Sequence, residues 1–145
     1  MSTVVAPPAL PDKLWELGIL ALDNLDAVED DKNYRVHMEH WHVPGCAFCT
    51  VCFAGGVMAK TLKTSPDILL GPYDFEEPIK GKLEAIHFLK AGKVNMALRS
   101  LGSVIRVPHE LNSDFERSVV PYEADPDAFK DTIGRIVDYC RNLDL

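Results

Sequence analysis

The sequence predicts a mainly α-helical fold with a minor β element (α+β), a single compact domain of about five helices and one short sheet or hairpin around a central buried helix. Apolar residues recur at spacings of three and four over most of the chain, which is typical of helices with one buried face. The 17 residues of 43–59 carry no charge, so a helix there would be buried on all sides. A length of 145 residues suits one domain. We therefore expect a flexible leader at residues 1–10 and one globular domain over residues 11–145.

The first and last helices have the clearest patterns. Pro11 suits the first position of a helix that continues to about Asp30. Asp125 is a suitable N-cap for the final helix, with Pro126 in its first turn. The apolar face of the first helix consists of Leu14, Leu17, Ala21, Leu25 and Val28, and that of the last consists of Phe129, Ile133, Ile136, Val137 and Cys140.

The middle of the chain predicts a strand and the central helix. Alternation of apolar and polar residues predicts a strand over Tyr34–Val43, which Pro44 and Gly45 would end. The uncharged residues that follow predict the central helix over Ala47–Leu62. The glycine pair Gly55–Gly56 lowers helix propensity, so we expect another backbone to pack closely there.

Glycine and proline divide the second half of the chain. Residues 64–77 are rich in both and predict a loop. Two short helices follow, which are expected to end at Gly92 and Gly102. Residues 104–107 predict a short strand, whereas residues 109–124 fit no single element.

Charge and cysteine spacing limit the classes of function. The formal net charge of −7 disfavours nonspecific binding to nucleic acid, whose phosphates select surfaces rich in Lys and Arg. The N-terminal residues lack the basic start and apolar run of a secretory signal, and the uncharged stretch is shorter than the roughly 20 apolar residues of a membrane span. Three of the four cysteines lie within seven residues, which does not suit disulfides between distant loops. We therefore expect a cytoplasmic protein with reduced thiols and no membrane association.

A cluster of histidines and cysteines is the candidate metal site. Cys46 and Cys49 have a spacing that is frequent among zinc ligands, and His40 and His42 could complete a tetrahedral site, but a distant second ligand pair is missing. The spacing of these cysteines and Cys52 also occurs in iron–sulfur ferredoxins, without the fourth cysteine in its place. A strand followed by a CxxC partly fits a thioredoxin-like redox site, without the alternating strands and helices of that fold. Because free cysteine behaves as a small apolar residue, packing in the core is the simpler interpretation; no cofactor is expected, with zinc as the alternative.

The remaining candidates favour binding over catalysis. His37, Trp41 and His42 could form a surface for a ligand or a partner protein, although packing of the indole at the edge of the core is the simpler interpretation. Tyr73 and Phe75 could be exposed on the predicted loop. The sequence contains no GxSxG motif and no phosphate-binding glycine loop, so a small redox or hydrolytic enzyme is an alternative without a motif. A small acidic protein with exposed aromatic residues could also form a homodimer.

The stretch YRVHMEHWHVPGCAFCTVCFAGGVMAKTL resembles small uncharacterised proteins of bacteriophages and prophages. Those proteins carry a Trp, a Cys-rich turn and an Ala-Gly-containing helix followed by a leucine-rich one, and the quoted stretch spans 29 of the 145 residues. The resemblance implies a small cytoplasmic accessory protein. The size and acidity of the chain would suit an inhibitor or adaptor of a host protein. The resemblance carries over no catalytic residues, because such proteins have no agreed activity.

Overall fold

The computed structural model describes residues 10–145. Within this range the chain forms six α-helices, one short 3-10 helix and one three-stranded sheet, which confirms the mainly helical α+β class. None of the helices in this range is long and apolar enough to cross a membrane. The predicted leader lies outside the described residues except for Leu10, whose side chain is buried. In chain order the elements are α1 (Leu14–Glu29), β1 (Tyr34–Val36), β2 (His42–Val43), β3 (Cys49–Val51), α2 (Phe53–Lys60), the 3-10 helix (Pro72–Asp74), α3 (Ile79–Lys90), α4 (Val94–Ser100), α5 (His109–Ser118) and α6 (Pro126–Asn142).

Helix α2 is the buried helix at the centre of the domain. All seven residues from Phe53 to Ala59 are buried, and the helix packs against both α1 and α3. The Phe53 ring meets the ring of Phe129 on α6 edge to face, with the ring centres 5.5 Å apart. Full burial of a side chain of this size contributes about 1.5–3 kcal/mol to stability. The prediction of a central buried helix is therefore confirmed.

The first and last helices are confirmed together with their apolar faces. Helix α1 begins at Leu14 after the N-cap Lys13, so the prediction that Pro11 occupies its first position is wrong. Asp125 caps α6, because its Oδ1 accepts a hydrogen bond from the backbone N–H of Ala128 at 3.1 Å. All ten residues predicted for the two faces are buried, and α1 packs directly against α6. Helical periodicity predicted these elements well because each buries a single face.

The prediction of a helix that begins at Ala47 is wrong at its N-terminal end. Strand β3, the middle strand of the sheet, occupies that part, and α2 begins only after it. Strand β3 contains the β-branched residues Thr50 and Val51, which favour extended backbone, and it alternates between buried and half-buried positions. Cys52 then caps α2, since its sulfur accepts a hydrogen bond from the Gly55 N–H at 3.3 Å.

The strand predicted over Tyr34–Val43 is interrupted by a turn, so that prediction is also wrong in extent. Strands β1 and β2 occupy its two ends, and residues 37–41 connect them. The sheet order is β1–β3–β2, with β1 parallel and β2 antiparallel to β3. The His40 N–H donates to the His37 carbonyl at 2.9 Å, and their rings stack with centres 3.9 Å apart. This turn carries the backbone of Trp41 across α2.

Gly55 lies where the turn crosses α2. A Cβ atom at Gly55 would lie 1.7 Å from the carbonyl oxygen of Trp41, so this position has room only for glycine. A Cβ atom at Gly56 would meet Val28 at an ordinary 3.6 Å. The close backbone approach predicted for the glycine pair is therefore confirmed at the first glycine, while the second could be replaced.

The second half of the domain follows the glycine and proline signals with one exception. Gly92 and Gly102 end α3 and α4 with φ angles of +73° and +76°, as predicted. The predicted strand over residues 104–107 is wrong, because this segment has no strand partner among the described residues. Instead, the Asn95 side chain donates to the carbonyl of Val107 at 2.9 Å and accepts its N–H at 2.8 Å.

Candidate functional site

His42 lies at the centre of a buried polar cluster between the sheet and the loop that follows α2. Its side chain is fully buried, with Nδ1 2.7 Å from the carbonyl oxygen of Ile68 and Nε2 3.1 Å from the hydroxyl of Thr64. A carbonyl oxygen can only accept, so Nδ1 carries the proton and donates to Ile68. The backbone carbonyl of His42 also accepts the N–H of Leu70 at 3.0 Å. One buried histidine thus fixes the backbone of this loop at two points.

Cys49 and Tyr34 complete the cluster. The Cys49 sulfur lies 3.6 Å from Nδ1 of His42, and burial together with the carboxylate of Asp67 raises the pKa of its thiol. The Tyr34 hydroxyl donates to the carbonyl of Thr64 at 3.2 Å, and burial raises its pKa as well. A protonated thiol beside a buried imidazole is a poor nucleophile. The cluster therefore positions backbone and offers no reactive group to solvent.

The four candidate zinc ligands occupy different environments. His42 and Cys49 are buried side by side, His40 bonds through Nδ1 to the Thr50 hydroxyl at 3.0 Å, and Cys46 is exposed. Among residues 10–145 no three His, Cys, Asp or Glu side chains form a group that could hold a metal ion. The structure thus brings two of the four together and leaves the others apart.

The remaining thiols are core residues. Cys52 belongs to the main apolar cluster of the domain, whereas Cys49 packs in a second, smaller cluster with Tyr34. Burial raises the pKa of the Cys52 thiol and raises that of Cys140 to about 11. The three neighbouring sulfur atoms of the chain therefore lie in three environments, namely solvent, the small cluster and the main core.

Trp41 is half-buried and stacks on His87, a histidine that no sequence motif marks as functional. The ring centres of Trp41 and His87 are 4.5 Å apart, with 24° between the planes. Nδ1 of His87 is buried without a hydrogen-bond partner among the described residues. Burial, with a smaller contribution from Lys90 and Lys93, lowers the pKa of His87 to about 4. The indole is therefore held between the turn and α3 by a neutral ring.

The loop of residues 65–75 exposes apolar side chains beside this cluster. Leu69 is 68% exposed, Ile68 48% and Tyr73 83%, although the backbone of the loop is held by His42. Phe75 is half-buried and packs against the main core, so of the two aromatic residues predicted to be exposed, Tyr73 is the more open. The two aliphatic residues belong to an apolar triplet between two prolines, which is the sequence signal for this exposed segment.

Comparison of the chain with protein-family models, curated proteins and solved structures found no match. Two features of the structure stand out: an exposed apolar loop with a fixed backbone, and the buried pair of His42 and Cys49.

Proposed function

We propose that this chain is a small acidic, non-catalytic binding protein that docks a partner protein through the loop of residues 65–75. The observation that carries this proposal is the combination of three exposed apolar side chains, Ile68, Leu69 and Tyr73, with a backbone fixed by the fully buried His42. An accessory role in the cytoplasm, as the resemblance to phage proteins implies, is part of the proposal.

A fixed backbone favours docking because it lowers the entropic cost of binding. A flexible loop would lose conformational freedom when a partner covers it, whereas this one is already ordered by His42 and by the bond from the Gly71 N–H to Asp74 at 2.8 Å. Burial of one aliphatic side chain such as Leu69 contributes about 1.5–3 kcal/mol. Tyr73 adds an aromatic residue of the type that dominates binding energies at interfaces.

Charge around the loop indicates the kind of partner. The exposed carboxylates Asp67, Asp74, Glu76 and Glu77 lie within or next to the loop. Lys80 is a nearby cation, and its ammonium lies 4.8 Å from the centre of the Tyr73 ring. Complementarity of charge therefore favours a partner with an apolar centre and a basic rim.

Binding has more support than the enzymatic and metal alternatives. Catalysis by a thiol requires an accessible thiolate beside a base, but Cys49 and His42 are buried and burial keeps the thiol protonated. A zinc site would require Cys46 and His40 to leave their present environments and join that pair.

The test compares two pairs of substitutions that remove exposed apolar side chains. Leu69→Ser with Tyr73→Ser changes the loop, and the matched control Val104→Ser with Ile105→Ser changes the other exposed aliphatic segment, where the two residues are 93% and 57% exposed. Proteins that copurify with the wild-type chain from its own cells are quantified, and the affinity of the most abundant is then measured with purified components. Analytical ultracentrifugation of the chain alone identifies a second copy as the partner.

The loop pair is expected to weaken the affinity at least about tenfold, because burial of an aliphatic side chain such as Leu69 contributes about 1.5–3 kcal/mol and Tyr is enriched among the residues that dominate binding energy. The control pair should keep the wild-type affinity. Equal affinities for the wild type and the loop pair, with both variants folded by circular dichroism, would contradict the proposal. A loss of affinity in the control pair alone would also contradict the proposal and would indicate that residues 103–108 form the docking surface.

A further inference from the structure

A pocket of about 350 Å³ lies on another part of the surface, where the turn after β1 meets the C-terminal ends of α3 and α5 and the start of α6. Its floor is apolar and includes Met38, Val119 and Phe129, of which the first and last are almost completely buried. Three carboxylates, from Glu39, Glu116 and Glu123, line it as well. The volume lies near the lower end of the usual range for small-molecule sites.

The electrostatics of the pocket favour a cation. Lys90 is the one basic residue in the lining of the pocket, and its ammonium donates a hydrogen bond to the carbonyl oxygen of Met38 at 2.6 Å. None of the three glutamates takes part in an ion pair between residues of the described range. Three carboxylates against one ammonium leave two net negative charges around the cavity.

The carboxylates retain oxygen atoms for a ligand. Oε1 of Glu123 accepts the Met38 N–H at 2.8 Å, and Oε1 of Glu116 accepts from the amide of Asn112 at 3.1 Å. The second oxygen of each carboxylate has no partner among the described residues, and the same is true of the whole side chain of Glu39. Helix α5 also ends one residue before Val119, which places the negative end of its dipole beside the pocket.

We propose that this pocket binds a compact organic ammonium ion whose apolar body lies against Met38 and Phe129. The ammonium donates to the free oxygens of Glu39 and Glu116, and Glu123 holds the turn that carries Met38. The ring of Tyr122, which also lines the pocket, lies edge to face with Phe129 at 5.8 Å. Aromatic rings of this kind stabilise a cation placed over their faces. An anion of the same shape would meet two net negative charges.

The NMR signals of the methionine methyl groups give a direct measurement of ligand binding in the pocket. Of the four methionines, Met38 lines the pocket, whereas Met58 is buried elsewhere in the core and Met96 is exposed on α4. The chain with ¹³C-labelled methionine methyl groups is titrated with 2-phenylethylammonium, with the neutral 2-phenylethanol and with phenylacetate. We expect a saturable shift of the Met38 signal with the ammonium, an affinity at least about tenfold weaker for the alcohol, and no saturable shift for the carboxylate.

Two charge variants distinguish binding of the ammonium in the pocket from general attraction of a cation to the acidic protein. Glu39→Gln with Glu116→Gln removes two charges inside the pocket, and Asp23→Asn with Asp138→Asn removes two exposed charges outside its lining. The first pair should abolish the preference for the ammonium over the alcohol, and the second should preserve it. Leu69→Ser with Tyr73→Ser should leave the titration unchanged, because the 65–75 loop does not line this pocket.

The proposal is overturned by any of three results. One is equal affinity for the ammonium and the alcohol, and another is an unchanged preference in the Glu39→Gln, Glu116→Gln variant. The third is an equal change in the methyl signals of Met38 and Met96, which would indicate nonspecific binding to the protein surface. None of these results bears on docking at the 65–75 loop, so the two proposals can fail separately.

Discussion

The loop of residues 65–75 and the segment of residues 103–108 both expose aliphatic side chains, but the domain holds them in different ways. The loop is fixed from the sheet, where the ring and the carbonyl of His42 bond its backbone at Ile68 and Leu70. The segment is fixed from a short helix, where the amide of Asn95 bonds both backbone groups of Val107. In the segment one side chain makes both bonds, whereas in the loop the bond to Leu70 comes from the backbone of His42, which forms an antiparallel bridge with Leu70.

The difference lies in what supports His42 and Asn95. His42 is fully buried and follows Trp41, whose carbonyl rests on Gly55 and whose ring stacks on His87. Asn95 is half-buried on a seven-residue helix, and its removal would disturb little else. The geometry of the 65–75 loop is therefore coupled through His42 to the sheet and α2. The 103–108 segment is instead tied to α4, by the Asn95 side chain and by the Ser103 N–H, which donates to the Leu98 carbonyl at 3.0 Å, and its Val107 packs in the main core. A loop coupled to the core keeps its shape before a partner arrives, which is what docking with a low entropic cost requires.

Gly55→Ala is expected to break the support of the 65–75 loop with the largest effect on stability. The new Cβ would lie 1.7 Å from the Trp41 carbonyl oxygen, a backbone atom that cannot move without shifting His42. We expect a loss of at least about 3 kcal/mol in the free energy of unfolding, measured by urea denaturation. The matched control is Gly56→Ala, whose Cβ has room. This control should be neutral or should stabilise by up to about 1 kcal/mol, and equal losses in the two variants would contradict the packing described here.

His42→Ala is expected to release the loop itself. It leaves the Ile68 carbonyl without its donor and creates a cavity beside Cys49, so the free energy of unfolding should fall by about 2–3 kcal/mol. Amide hydrogen exchange should become faster at Leu70, which bonds to the backbone of the substituted residue, and remain unchanged at Val107. Unchanged exchange at Leu70 would show that the loop is fixed by other contacts.

Acid should destabilise the folded protein through His87, whose ring stacks on Trp41, the residue before His42. Burial lowers the pKa of His87 to about 4 in the folded state, against an ordinary value near 6.5, so the unfolded chain binds more protons between these pH values. Stability from this group is therefore present above pH 6.5 and is lost as the pH falls towards 4. Between pH 7 and pH 5 the loss should be about 2 kcal/mol. His87→Phe keeps a ring against Trp41 and removes the titration, so the difference between the two pH profiles isolates the effect.

The sequence predicted the helices that bury one face and misassigned the elements that tertiary contacts decide. Periodicity is sufficient for α1 and α6, whose predicted faces are all buried. The uncharged stretch around Thr50 and Val51 is compatible with a strand or a buried helix, and only pairing with β1 and β2 selects the strand. The reverse holds at residues 104–107, where a strand-like sequence has no partner strand in the described structure.

The candidate sites were harder to predict than the fold because they join residues that are distant in the chain. His42 was selected as a binding residue, but its burial assigns it to holding the loop, a role that no local pattern reveals. The stacking of His87 on Trp41 arises only because α3 packs against the turn that carries Trp41. The pocket joins Glu39 with Glu116 and Glu123, and a single sequence gives no signal for that proximity. The roles of Tyr73 and Phe75 in binding stay predictions.

Asn95→Ala is expected to release the 103–108 segment with the smallest effect. The buried Val107 would lose the partners of its N–H and its carbonyl, but both groups lie close enough to the surface for water to replace part of the loss. We expect a decrease of about 1–2 kcal/mol in the free energy of unfolding and faster amide exchange at Val107, with Leu70 unchanged. The matched control Asn112→Ala removes the bond from the Asn95 N–H to the Asn112 side chain and leaves Val107 paired. If exchange accelerated at both Val107 and Leu70, the two segments would share one support, and the contrast between them would be wrong.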